Sequence, residues 1–194
     1  MCDSDDDVVL SPEALKALGE FYKEKEEIQI EEDWQLSQFW YTDETAKALA
    51  NIARSQGTRI CCVSSPTAFR ELQSTRSPDE KLTLLEFDRR FGDLYGENFV
   101  FYDYKSPEDL PKELEGAFDV VLADPPFLAE ECLEKVAKTI TFLTKKSIIL
   151  CTGIVMKSSV ERILGLSETA FQPQHARKLG NQFGCFTNFP LNKT

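Results

Sequence analysis

The sequence predicts an α/β fold: a mostly parallel sheet with helices on both faces, closed by an antiparallel C-terminal edge hairpin. Three observations carry this. Five apolar, β-prone runs lie between Arg59 and Cys151. Helical spacing or turn residues separate them, as in successive parallel units. The last two apolar runs have only a polar loop between them, which suits antiparallel strands. A chain of 194 residues with 42% hydrophobic side chains has room for one ordinary core. No repeat, low-complexity tract or interdomain linker breaks it.

Taken in order, residues 1–10 form an acidic tail with little apolar mass, expected to be disordered. Residues 11–41 form a second section, an N-terminal helix followed by an aromatic lid. The helix starts at Ser11-Pro12-Glu13, with a Ser cap, Pro in the first turn and Glu near the positive end. Leu15, Leu18, Phe21 and Tyr22 mark its apolar stripe. The lid holds both tryptophans in Trp34-Gln35-Leu36-Ser37-Gln38-Phe39-Trp40-Tyr41. Its plain reading is an aromatic plug over the core. Its functional reading is a cover across a ligand, with Ser37 or Gln38 supplying polar contacts.

Residues 42–194 form the main domain. Thr42 or Asp43 caps a helix whose face is Ala46, Leu49, Ala50 and Ala53, and Gly57 ends it. Arg59 to Ser64 is the first strand, followed by a Ser65-Pro66-Thr67 turn and a helix from Ala68 to about Ser74. Lys81 to Asp88 and Phe99 to Tyr104 are the second and third strands. Phe118 to Ala123 is the fourth, and an apolar run with two valines suits a strand covered on both faces. Glu130 to Thr144 is a helix, Ser147 to Cys151 a fifth strand and Val155 to Leu164 a further helix. Thr169 to Phe171 and Phe183 to Phe189 form the closing pair. The loop between them carries His175, Arg177 and Lys178.

Composition narrows the function classes. No apolar run approaches the ~18 residues of a membrane span, and the acidic start does not resemble a signal peptide. Six cysteines without a Cys-x-x-Cys, and one histidine, argue against zinc and redox motifs. Free cysteines in apolar runs fit a reducing cytosolic or nuclear setting. The net charge is −11, with residues 1–33 at −9, residues 34–134 at −9 and residues 135–194 at +7. Total charge argues weakly against a nucleic-acid partner and mildly for a basic protein.

Consecutive strand ends then offer usable groups. The first ends at Ser64 and Ser65, the second at Glu86 and Asp88, the third at Asp103 and Tyr104. The fourth runs into Asp124-Pro125-Pro126-Phe127. In open α/β sheets ligands bind beyond these carboxyl ends. Any one of these acids alone is more often a solvated loop residue. An acid after the second strand can hold ribose hydroxyls; one after the third can accept from an adenine amine. The first loop lacks the glycines of phosphate-binding turns, which disfavours a phosphorylated ligand. The proline pair locks a carboxylate and a carbonyl at the sheet rim. Those acceptors can turn the N–H groups of an amine aside and aim its lone pair. Phe127 adds an apolar wall or a π-face. A lysine amine and an adenine amine both satisfy this geometry. Lysine must also lose a proton, at about 4.6 kcal/mol at pH 7.

The Asp-Pro-Pro-Phe turn resembles the (D/N)PP(Y/F) motif of class I methyltransferases acting on amino nitrogens. The ordered set WQLSQFWY, LLEFDRRF, FVFYDY, FDVVLADPPFLAEECL and ILCTG resembles a narrower family, the lysine methyltransferases of translation elongation factor 1-alpha. These were once classed as N-6 adenine-specific DNA methyltransferase-like proteins. The similarity runs from about Ser11 to about Phe189. It implies a class I, Rossmann-like methyltransferase with a seven-stranded sheet, S-adenosylmethionine as cofactor, S-adenosylhomocysteine as product, a cytoplasmic setting and a protein-lysine substrate on the elongation factor. It assigns Asp124, Pro125, Pro126 and Phe127 to the substrate amine and Glu86 or Asp88 to the ribose. Asp103 and Tyr104 go to the adenine, and Ser37, Gln38, Phe39 and Trp40 to a cover over the cofactor. Ser64 and Ser65 are further contacts. The alternative is adenine-N6 methylation of DNA or RNA, against which stands the lack of a separate target-recognition domain.

Overall fold

The computed structural model describes residues 30, 32–33 and 38–191. The expected acidic tail, the helix from Ser11, and Trp34 to Ser37 lie outside the described residues. The described strands and helices all lie in the unit from Glu32 onward.

Seven strands form one sheet: β1 (Arg59–Val63), β2 (Lys81–Glu86), β3 (Phe99–Phe101), β4 (Val120–Ala123), β5 (Ser147–Gly153), β6 (Ser167–Glu168) and β7 (Phe183–Thr187), in the order β3-β2-β1-β4-β5-β7-β6. The pairs β3–β2, β2–β1, β1–β4 and β4–β5 are parallel, whereas β7 runs antiparallel to both β5 and β6. Five helices accompany them: α1 (Asp43–Arg54), α2 (Pro66–Ser74), α3 (Arg90–Tyr95), α4 (Glu130–Leu143) and α5 (Lys157–Leu164). The order reverses at β1, where chain connections leave in opposite directions. That switch point opens a crevice at the strand ends.

Period-two alternation divides the strands between two layers. Cys61, Val63, Val121, Ala123, Ile148 and Leu150 share a core with Leu133, Val136 and Ile140 of α4 and Val160 of α5. The alternate residues Ile60, Cys62, Leu84, Leu122 and Ile149 are also fully buried, on the face left to α1 and α2. Those helices contribute Leu49, Ala50, Ala53, Phe69 and Leu72, none more than 1% exposed. Thr42 caps α1, its hydroxyl accepting from the Thr45 amide at 3.2 Å.

Several boundaries differ from expectation. β2 stops at Glu86 and β3 at Phe101, so the acids that follow sit on turns rather than strands. The helix before β1 ends at Arg54, with Gly57 three residues on. The sixth strand is Ser167–Glu168, not Thr169 to Phe171. Gly165 caps α5 in the left-handed region (φ 66°), turning the chain straight into the sheet. Only one further ladder contact remains beyond it, from the Thr169 amide to the Cys185 carbonyl.

Candidate active site

A cavity of about 540 Å³ opens at the carboxyl ends of β1, β2 and β4. Its roof is built from two distant segments. The Thr42 amide donates to the Gln174 carbonyl at 2.9 Å and the Ala176 amide to the Trp40 carbonyl at 2.8 Å. Tyr41 and His175 pair as an antiparallel bridge between them. The His175 ring lies 4.9 Å from that of Tyr41 and 4.5 Å from that of Phe183. Burial holds His175 below its ordinary pKa, so it is neutral at pH 7.

The loop after β1 solves without glycine what glycine usually provides. Ser64 takes φ 52°, the one left-handed non-glycine among the described residues. Its amide still donates to the Leu85 carbonyl at 2.8 Å. A local strain of about 1–2 kcal/mol is therefore held at the cavity wall. Ser65 follows at the N-terminus of α2, and its buried hydroxyl has no protein partner. The indole N–H of Trp40 is unpartnered in the same way. Both residues line the cavity, and buried polar atoms of this kind call for a ligand or water.

The two acids at the end of β2 have separate places. Glu86 lines the cavity and is 6% exposed. One of its oxygens accepts from the Phe87 and Asp88 amides, at 3.0 and 3.3 Å. Burial dominates and pushes its pKa up to about 7, against those two donors, with the Asp88 charge adding to the rise. Asp88 is not among the lining residues. It accepts from the Arg90 guanidinium at 2.6 Å and from the Gln38 amide at 3.0 Å. Burial opposes its ionisation, but these bonds outweigh it and hold the carboxyl below the usual range.

Asp124 stands where β4 ends, its amide bonded to the Val63 carbonyl at 3.0 Å. The Tyr41 hydroxyl donates to its Oδ2 at 2.6 Å. Burial raises Asp124 to about 7; the Tyr41 bond pulls it down and the charge of Glu86 pushes it up. Burial also raises Tyr41, so its hydroxyl stays protonated as a donor. Pro125 is buried and Phe127 is 44% exposed, with its ring 5.6 Å from that of Tyr104. Asp103 lines the wall beside Tyr104, one of its oxygens taken by the Lys105 amide at 2.9 Å.

Gln38, Phe39, Trp40, Ser64, Ser65, Glu86, Asp103, Tyr104, Asp124, Pro125, Pro126 and Phe127 thus come together around one cavity. Asp88 stands behind it, and Ser37 lies outside the described residues. Sequence reasoning missed Tyr41 and His175. The only signals were a tyrosine ending the aromatic segment and a histidine that occurs once. Neither indicated that two segments 134 positions apart would pair.

The sequence model of a family described as "Probable N6-adenine methyltransferase" matches residues 32–191. EEF1A lysine methyltransferase 1 of Gallus gallus is 46% identical over 97% of this chain and 98% of its own length. The Homo sapiens protein of the same name is 44% identical over 97% and 96%. The chain belongs to this methyltransferase family. Among solved structures, a SAM-dependent methyltransferase from Aquifex aeolicus superposes with a TM-score of 0.51 at 12% identity, over 92% of this chain and 98% of that one. That likeness concerns the fold alone. This methyltransferase has the mostly parallel seven-stranded sheet with an antiparallel C-terminal pair that the sequence predicted. The printed names of these relatives, and of a Caenorhabditis elegans protein-lysine N-methyltransferase 44% identical over 97% of this chain, specify a lysine as those proteins' acceptor.

Proposed function

We propose that this protein transfers a methyl group from S-adenosylmethionine to a lysine amine of translation elongation factor 1A, in the cytoplasm. The observation that carries the reading is the Asp-Pro-Pro-Phe turn forming one wall of the cavity that Glu86, Ser65 and Trp40 also line. The names of the relatives supply the substrate.

The residues present fit the cofactor. Glu86 keeps one carboxylate oxygen free of amide donors for a ribose diol. The orphaned Ser65 hydroxyl and Trp40 N–H await polar partners. Lys105 is the one lysine or arginine among the lining residues, which suits a ligand without phosphates. Asp103 and Tyr104, on one wall, are assigned to the adenine, and Phe39 and Trp40, which also line the cavity, to the cover. When bound, the cofactor supplies an electrophilic methyl on a sulfonium.

The chain's own groups prepare the nucleophile. Asp124 and the Pro125 carbonyl accept N–H bonds from the entering amine and turn its lone pair to the reaction axis. Tyr41, which lines the same cavity, donates to Asp124 Oδ2 and so fixes the orientation of the carboxylate. Tyr104 and Phe127 exclude water from the amine. Desolvation there favours the uncharged form and reduces the cost of deprotonating it. Gln38 is fixed by Asp88, which ties the cover to the end of β2.

Incubation of the protein with methyl-labelled cofactor and a cell extract tests this. Label in a protease-sensitive, nuclease-resistant band at the elongation factor supports it. Label that vanishes with nuclease and survives protease overturns it.

A further inference from the structure

Among the described residues four large apolar side chains are exposed: Phe39 at 38%, Phe87 at 47%, Phe127 at 44% and Val155 at 73%. They are not scattered. Phe87 follows β2, Phe127 follows β4 and Val155 follows β5, each at the carboxyl end of a parallel strand. Phe39, Phe87 and Phe127 line the cavity. Val155 belongs to the same rim. A Cβ on Gly153 would meet the side chain of Leu128, itself a lining residue, at 2.9 Å. The Ile154 amide bonds the carbonyl of Gln182, beside the lining residue Phe183, at 2.8 Å. Single exposed apolar residues are ordinary, but a set around one mouth marks an interaction surface.

The flank beyond Phe127 is acidic. The loop after β3 runs beside α4, where the Thr139 hydroxyl bonds the Pro107 carbonyl at 3.1 Å. Glu108 and Asp109 on that loop, and Glu131 and Glu134 on α4, are exposed; the lysines on the same loop and helix are Lys105, Lys112, Lys135 and Lys138, with Lys135 paired to Glu131 at 2.9 Å, and Glu113 and Glu115 keep the acids in excess. This charge selects the occupant. A second copy carries −11 overall, and residues 1–33 hold 12 acids against 3 bases, so both are repelled. A basic partner is drawn in.

We infer that Val155 and the Phe127 side of the rim form a docking surface for the substrate protein. The folded, basic surface around the target lysine seats its apolar patch on Val155 and its positive charge against Glu108, Asp109 and Glu134. This rests on the proposed lysine methylation and adds which face of the molecule selects the substrate. Val155, Glu108, Asp109 and Glu134 do not line the cavity.

The test is steady-state kinetics with purified elongation factor 1A, on the full chain and on two variants, Val155→Asp and the double change Glu108→Lys/Glu134→Lys. Calorimetry with S-adenosylmethionine runs in parallel. The expected result is a KM for the factor raised at least tenfold in each variant. Cofactor affinity and kcat at saturating factor stay within twofold, and the double variant shows a flatter salt dependence. An unchanged KM in both variants overturns the docking surface while leaving the methyltransferase reading intact. Transfer absent from the wild-type protein removes the reading beneath it instead. A melting transition matching wild type separates a lost surface from a lost fold. If Val155→Asp alone fails to fold, the charge-reversal variant decides.

Discussion

Tyr41→Phe removes one hydroxyl and nothing else. The ring keeps its place against His175, 4.9 Å away. What disappears is the 2.6 Å bond to Asp124 Oδ2, with the weaker contact of the same hydroxyl to the Cys151 thiol. A hydrogen bond to a charged group contributes about 1.5–3 kcal/mol. The sign follows from which form it stabilises. Tyr41 donates to the ionised carboxylate and so lowers the Asp124 pKa; removing it raises that pKa from about 7 to roughly 8–9, at about 1.36 kcal/mol per tenfold change. If the carboxylate must be ionised to accept from the amine, the variant loses roughly 3–25-fold in kcat at pH 7.5. It recovers towards wild type near pH 9.5. The assay is the ratio of variant to wild-type kcat at saturating cofactor and substrate, from pH 6.5 to 9.5. A merely structural role for Tyr41 gives a ratio independent of pH, and that flat profile refutes the reasoning. Loss of cofactor affinity with unchanged kcat would refute it equally.

Three further outcomes are expected. Asp124→Asn keeps an acceptor for Tyr41 but removes a buried charge. Because the Asp124 pKa is raised by burial, its ionisation costs stability that grows as pH rises from about 4 to 7. The variant is then inactive yet more stable, by on the order of 1–4 kcal/mol at pH 8 and by little at pH 4, read by denaturant melts. Ser64→Gly relieves the left-handed strain at φ 52° and stabilises by up to about 1 kcal/mol, whereas Ser64→Val destabilises by about 2 kcal/mol or more. In calorimetry, Glu86→Ala weakens S-adenosylmethionine binding at least 30-fold, while Asp88→Ala acts through Gln38 alone and costs less than tenfold. The reverse order would return the ribose to Asp88.

Much of the site was legible because it is local. Asp124-Pro125-Pro126-Phe127 needs only a buried strand and two prolines to put a carboxylate at a rim. Glu86 and Asp88 were indistinguishable in sequence, since both stand at the end of one strand, two positions apart. Burial and partners separated them: Glu86 faces the cavity, and Asp88 faces Arg90 and Gln38. The missing glycine after β1 counted against a phosphorylated ligand, and Ser64 nonetheless adopts the glycine-like conformation. Backbone strain that tertiary contacts impose leaves no mark in composition.

The sequence by itself determined the alternation of strands and helices, the two apolar faces of the sheet and the chemistry at its carboxyl rim. All of these are written in periods of two and 3.6 and in proline and acid positions. Only the tertiary structure decided the roof. Tyr41 reaches Asp124 across 83 positions, and its neighbour in the ladder is His175 rather than anything near it in the chain. Such pairings depend on where two loops land after the sheet has closed, and no local propensity encodes that.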